Sequence, residues 1–124
     1  MIDIVRFEEI LDELAAELPE ALFVNLNQGI IVLDKAKRHP KSIEGDLYIV
    51  GEYQRSGVMG SGIVIYYRSF QRVYGHLSEE LQRKELRRVL RHEFRHHWEF
   101  LAGERALEIE DQAEIERYLE GRSG

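Results

Sequence analysis

The sequence predicts an α+β domain organised around one long helix. Three observations carry that prediction. Apolar residues recur at a helical period over residues 4–18, two runs rich in β-branched and aromatic residues lie at 47–53 and 62–67, and a long helical stretch opens at Ser78 and carries His92, Glu93 and His96 mid-helix. The expected order is an N-terminal helix, a short mixed or antiparallel sheet of three to four strands, the long motif-bearing helix and a C-terminal helix. With 124 residues and no repeat, low-complexity stretch or evident linker, the chain is read as one domain, 1–124.

Taken in order, Ile4, Phe7, Ile10, Leu11, Leu14 and Leu18 form one apolar face with acidic residues between them, and Pro19 ends the run. Residues 22–26 and 30–33 read as short strands separated by Asn27-Gln28-Gly29. Residues 35–46, with Pro40 and Gly45, read as a surface loop. The run 47–53 and the run 62–67 are the strongest strand candidates, and Tyr66 and Tyr67 should then point to opposite faces. The three glycines between them, in Gly57-Val58-Met59-Gly60-Ser61-Gly62, are not spaced as a phosphate loop and precede a strand, so they mark a hairpin turn. Ser78 is a suitable N-cap with Glu79 and Glu80 in the first turn of the long helix. That helix is expected to stop near Gly103, and a last helix is expected at about 111–119.

Composition narrows the chemistry. The chain is 44% hydrophobic and 32% charged with a net charge of −6, which gives a nucleic-acid role no support from overall balance. There is no cysteine, so disulfides and thiolate metal sites are excluded and any metal must be held by histidine and carboxylate. The acidic N-terminal stretch does not read as a signal peptide, and no apolar run is long enough to span a bilayer, so a cytoplasmic protein is expected. Charge is uneven: Arg83, Lys84, Arg87, Arg88, Arg91 and Arg95 are followed by an acidic tail from Glu104 to Glu120. Intramolecular pairing or a solvated face is the ordinary use of such runs. An RNA-binding face is the weaker reading, because the aromatic residues that stack bases are poorly represented there.

His92-Glu93-Phe94-Arg95-His96 is the H-E-x-x-H pattern. At about 100° per residue, His96 stands only about 40° from His92 and one turn on. Leu86, Val89, Leu90, Phe94 and Leu101 border that face, so one side of the helix can anchor in a core while the next opens to a cleft. Two imidazoles so spaced can each give a nitrogen to one Zn²⁺. Glu93 can take a proton from the attacking water and pass it to a leaving amine.

These residues, with strands of the GDLYIVGEY and IVIYYRSF kind ahead of them, resemble the minimal zincins, small bacterial zinc metallopeptidases. The resemblance covers about residues 5–119. It implies a zincin-like domain with His92 and His96 as zinc ligands, Glu93 as catalytic base, and a peptide or protein as substrate. Many relatives have glycine three residues after the second histidine; here Glu99 stands there, and the glycine comes at Gly103. The third ligand is therefore open. Glu99 lies on the histidine face and leans back toward His96, although an Arg95–Glu99 pair would use it otherwise. Glu104, Glu108 and Asp111 are the alternatives, returning from beyond the expected end of the helix. His97 points to the apolar side and reads as packed, Trp98 and Phe100 as core or cleft wall, and His39 and His76 as isolated loop residues. Hydrolysis of peptides by a zinc enzyme is the leading functional expectation. A metal-binding or protein-interaction domain of the same architecture with little turnover is the alternative, and oligomeric state is not read from the sequence.

Overall fold

A computed structural model describes residues 2–42 and 47–123. The part of the expected 35–46 loop at residues 43–46 lies outside the described residues. The architecture is α+β, as expected. Helix α1 spans Ile4–Ala16; strands follow at Gly29–Leu33 (β1), Lys37–Arg38 (β2), Tyr48–Ile49 (β3), Gly51–Ser56 (β4) and Gly60–Tyr66 (β5); α2 is Tyr67–Tyr74 and α3 is Glu79–Ser123. The main sheet has the order β1-β5-β4, with β1 parallel to β5 and β4 antiparallel to it. The two-residue strands β2 and β3 make a separate antiparallel ribbon.

Helix α1 starts where Asp3 accepts a hydrogen bond from the Arg6 N–H and buries Phe7, Ile10, Leu11 and Leu14. Those side chains meet Ile63 and Ile65 of the central strand, Phe70 of α2, and Leu86, Val89, Leu90 and Phe94 of α3. The core thus lies between the sheet and three helices, and it holds the near end of α3 firmly in place. Arg83 and Arg87 of α3 pair with Glu13 and Glu17 of α1, and Arg6 pairs with Glu79. Arg88 and Arg95 pair within α3, with Glu85 and Glu99, so four of the six residues of the basic run are used within the chain, two of them against α1. Such exposed pairs are worth about 0–1 kcal/mol each, so they set register more than stability.

Four expectations are corrected. Within the stretch expected as a loop over 35–46, Lys37–Arg38 is strand β2, paired with β3. Residues 22–26 are not a strand: Glu20–Phe23 is a single 3₁₀ turn, and Asn25 takes φ of 62°, which reverses the chain before β1. The strand expected over 62–67 stops at Tyr66, because Tyr67 opens α2; its ring stacks on Phe7 and its hydroxyl donates to the Ile2 carbonyl. The long helix does not stop at Gly103, and no separate helix begins at 111: α3 is one helix of 45 residues. Gly103 keeps a negative φ, and a glycine inside a helix costs only about 1 kcal/mol relative to alanine. The flanking Glu104, Arg105, Ala106 and Leu107 are good helix formers that carry the helix through. Past Phe100, its outer half leaves Leu107, Ile109, Ile115 and Leu119 exposed.

The hairpin joining β4 and β5 turns at Gly60, whose φ is +87°, as the glycine pattern implies. Asn27 fills the space a side chain would take there, accepting from the Ser61 N–H and donating to the Met59 carbonyl. A Cβ on residue 60 would lie 1.8 Å from Asn27 Oδ1. Gly60→Ala should therefore destabilise the protein by about 2–3 kcal/mol, from left-handed strain plus the displaced Asn27 bonds. Urea unfolding measures this, and an unchanged midpoint would refute the Asn27 clasp.

Candidate metal centre

Helix α3 brings His92 and His96 to one face, with their Nε2 atoms 3.1 Å apart and both rings exposed. Two nitrogens bound to one tetrahedral zinc at about 2.0–2.1 Å lie about 3.3–3.4 Å apart, so the pair is close to the spacing that the metal requires. Glu93 completes the group: one ligand atom from each of His92, Glu93 and His96 lies within 4.8 Å of the others. The donor set of imidazole and carboxylate suits zinc.

Glu93 differs from the histidines in being buried, at 5% exposure. Strand β4 covers it, and Gly51 makes that approach possible: a Cβ there would lie 3.1 Å from Val89, 3.2 Å from Ile65 and 3.5 Å from Glu93 Cγ. Burial pushes the Glu93 carboxyl above the ordinary carboxylate range; His92 and His96 pull it down, and Glu52 pushes it up further. A base held above its usual pKa is better matched to work near neutrality.

Beyond Gly51 the same strand face runs along α3. Tyr53 meets His97, which is fully buried, with a Tyr53 hydroxyl to Nδ1 distance of 2.6 Å. His97 Nε2 lies 2.7 Å from the Val24 carbonyl, which can only accept, so Nε2 carries a proton and donates there, while the Tyr53 hydroxyl partners Nδ1. His97 is thus the packed residue expected, and it ties β4 and the 3₁₀ segment to the helix beside His96. Arg55 lies over Phe100. Glu52, Tyr53, Arg55, Glu93, His96 and Phe100 line an open cleft of about 610 Å³.

Among the described residues, the acidic candidates Glu99, Glu104 and Asp111 are not gathered into this group. Glu99 pairs with Arg95 at 3.2 Å, and its second oxygen lies 3.9 Å from Nδ1 of His96, the nitrogen turned away from the shared Nε2 pair. Because α3 continues, Glu104 lies eight residues beyond His96, about 12 Å along the axis, and Glu108 and Asp111 lie farther still. The return from the tail expected for Glu104, Glu108 and Asp111 therefore does not occur. Trp98 is exposed rather than core, Phe100 is cleft wall, and the site group contains neither His39 nor His76.

No family model matches the chain, and no curated protein matches it. Among solved structures, a conserved hypothetical protein from Thermo thermophilus is 33% identical, with a TM-score of 0.68 over 82% of this chain and 99% of that one. The chain belongs to the family of that protein. The relative's description names no activity, so chemistry must be argued from the residues. Sequence reading missed the cleft wall: Gly51, Glu52, Tyr53 and Arg55 lie some 40 residues before the motif. The alternation in Gly51-Glu52-Tyr53-Gln54-Arg55 puts 51, 53 and 55 on one face, which was the available signal, but nothing local says that this face lies on α3. Among the described residues, no helix is long and apolar enough to cross a membrane.

Proposed function

We propose that the chain is a zinc-dependent metallopeptidase of the minimal zincin kind, with Glu93 as general base. The observation that carries this reading is the pair of Nε2 atoms 3.1 Å apart beside a buried carboxylate, with His96 and that carboxylate on the wall of an open cleft. Zinc bound by His92 and His96 supplies a Lewis acid for the peptide carbonyl and makes water more acidic. Glu93 takes the proton of the attacking water and delivers it to the leaving amine. β5 is the central strand, so the free sheet edge beside the cleft belongs to β4, and an extended peptide would pair with that edge. The substrate is a peptide or protein, and the expected setting is the cytoplasm.

Glu99 is the acidic residue that completes the ligand set in this reading. It sits one turn beyond His96 on the same helix, and the exposed Arg95 pair that holds it is worth only a few tenths of a kcal/mol. Glu99→Ala should lower zinc affinity at least about tenfold by competition titration. Unchanged affinity would remove Glu99 from the set. The reading as a whole is tested by metal analysis after purification without added zinc. Stoichiometric zinc is expected, with peptide cleavage lost on chelation and restored by zinc; absence of any bound transition metal would overturn it.

The Arg95–Glu99 pair also favours a second reading, in which a domain of this architecture binds metal or a protein partner with little turnover. Bound zinc without cleavage of any peptide in a broad library would select it.

A further inference from the structure

We propose that Arg55 makes this cleft selective for peptides that carry a carboxylate, as an acidic side chain or a free C-terminus, about two residues from the reacting carbonyl. The inference rests on the cleft being the peptide site proposed above.

Arg55 is an exposed residue of β4, the strand whose free edge borders the cleft. Its guanidinium carbon lies 3.7 Å from the centroid of the Phe100 ring. Stacking fixes the guanidinium plane and leaves the in-plane N–H groups of its rim free to meet a carboxylate in a fork. Phe100 is the fourth residue after His96, one helical turn and about 6 Å along the axis. That distance is close to the span of two residues of extended chain, about 3.3 Å each. A peptide lying along β4 with its carbonyl at the two histidines would therefore bring the second residue onward to Arg55.

The local charges leave this cation available. Arg6, Arg83, Arg87, Arg88 and Arg95 each make an ion pair, whereas none is made by Arg55 among the described residues. Of the acidic groups near it, Glu52 is engaged by Lys37 at 2.5 Å and Glu93 is buried beneath β4. Glu104 lines the neighbouring cavity together with Arg55, and no ion pair joins the two. A substrate carboxylate would be the partner that Arg55 lacks among the described residues.

The test uses the full chain carrying Glu93→Gln, which suppresses turnover, and three fluorescein-labelled alanine-rich hexapeptides. One is neutral with a C-terminal amide, one has a free C-terminal carboxylate, and one is an amide with a single glutamate. Fluorescence anisotropy gives each affinity. At least one carboxylate peptide should bind about tenfold tighter than the neutral amide, as a charge-assisted bidentate contact provides. The preference should vanish when Arg55→Met is added and be partly kept with Arg55→Lys. Preference for the free terminus identifies an exopeptidase-like subsite, and preference for glutamate an acidic side-chain subsite. Equal binding of all three, no binding of any, or a preference that survives Arg55→Met overturns the proposal. Carboxylate preference in a protein whose wild type cleaves none of a broad peptide set keeps Arg55 and overturns the peptidase reading. Cleavage without the preference does the reverse.

Discussion

Glu93→Gln is expected to hold zinc within a few-fold of the wild-type affinity while losing peptide hydrolysis by about 10²–10⁴-fold, the usual contribution of a positioned general base. The substitution keeps the size of the side chain beneath Gly51 and leaves the Nε2 atoms of His92 and His96 in place, but the amide cannot accept the proton of the attacking water. Equal cleavage by the two proteins would refute the role given to Glu93. The same variant reports on burial in metal-free protein. Burial raises the folded pKa of Glu93 above its ordinary value of 4.5, so the folded state holds this proton more tightly than the unfolded chain does. The stability that follows is fully present below the unfolded value and is lost as pH rises through the raised folded value. Glutamine does not titrate, so Glu93→Gln should gain stability relative to wild type on going from about pH 4 to pH 8. Urea unfolding at the two ends checks the sign, and a difference that does not grow with pH would mean that the carboxylate is solvated.

Phe7→Ala should be the most destabilising single truncation considered, by about 3–5 kcal/mol. Phe7 has no exposed surface, lies 5.2 Å from both the Tyr67 and Phe70 rings, and so joins α1 to α2. Phe7 belongs to a core cluster drawn from α1, the sheet, α2 and α3, which limits how far the cavity can close. A domain of this size is stable by only about 5–15 kcal/mol, so the loss should show as a large fall in the urea midpoint. A shift below about 1 kcal/mol would contradict the docking of α1. Zinc binding measured at low temperature should survive in the folded fraction, because the ring contacts of Phe7 are with Tyr67 and Phe70 of α2.

What the sequence made legible was whatever depends on local geometry. A four-residue spacing on a helix places His92 over His96 wherever the helix lies, because 3.6 residues make a turn. The apolar period of α1, the Ser78 cap and the glycine hairpin are local for the same reason, and each is found. Glycine was misleading only where it was read as a stop: Gly103 lies among strong helix formers, and the cost of one glycine is too small to end the helix. Residues 22–26 and Tyr67 were read as strand from their composition, but β-propensity measures fit to a pleated, half-buried surface, and that surface is supplied elsewhere. Tyr67 turns into α2 because its ring packs on Phe7, a partner sixty residues away.

The candidate site divides in the same way. The order of residues alone specifies the paired imidazoles, the acid next to the first of them and the apolar stripe that anchors their helix. Folding in three dimensions was needed for β4 to cover the acid, for Gly51 to let it approach so closely, for Tyr53 to be tied to buried His97, and for Arg55 to stand over Phe100. Those relations join residues some 40 positions apart, and no periodicity within either segment encodes which face meets which. Burial is a property of two surfaces in contact, so the carboxyl pKa of Glu93 and the shape of the cleft came into being only when strand and helix met.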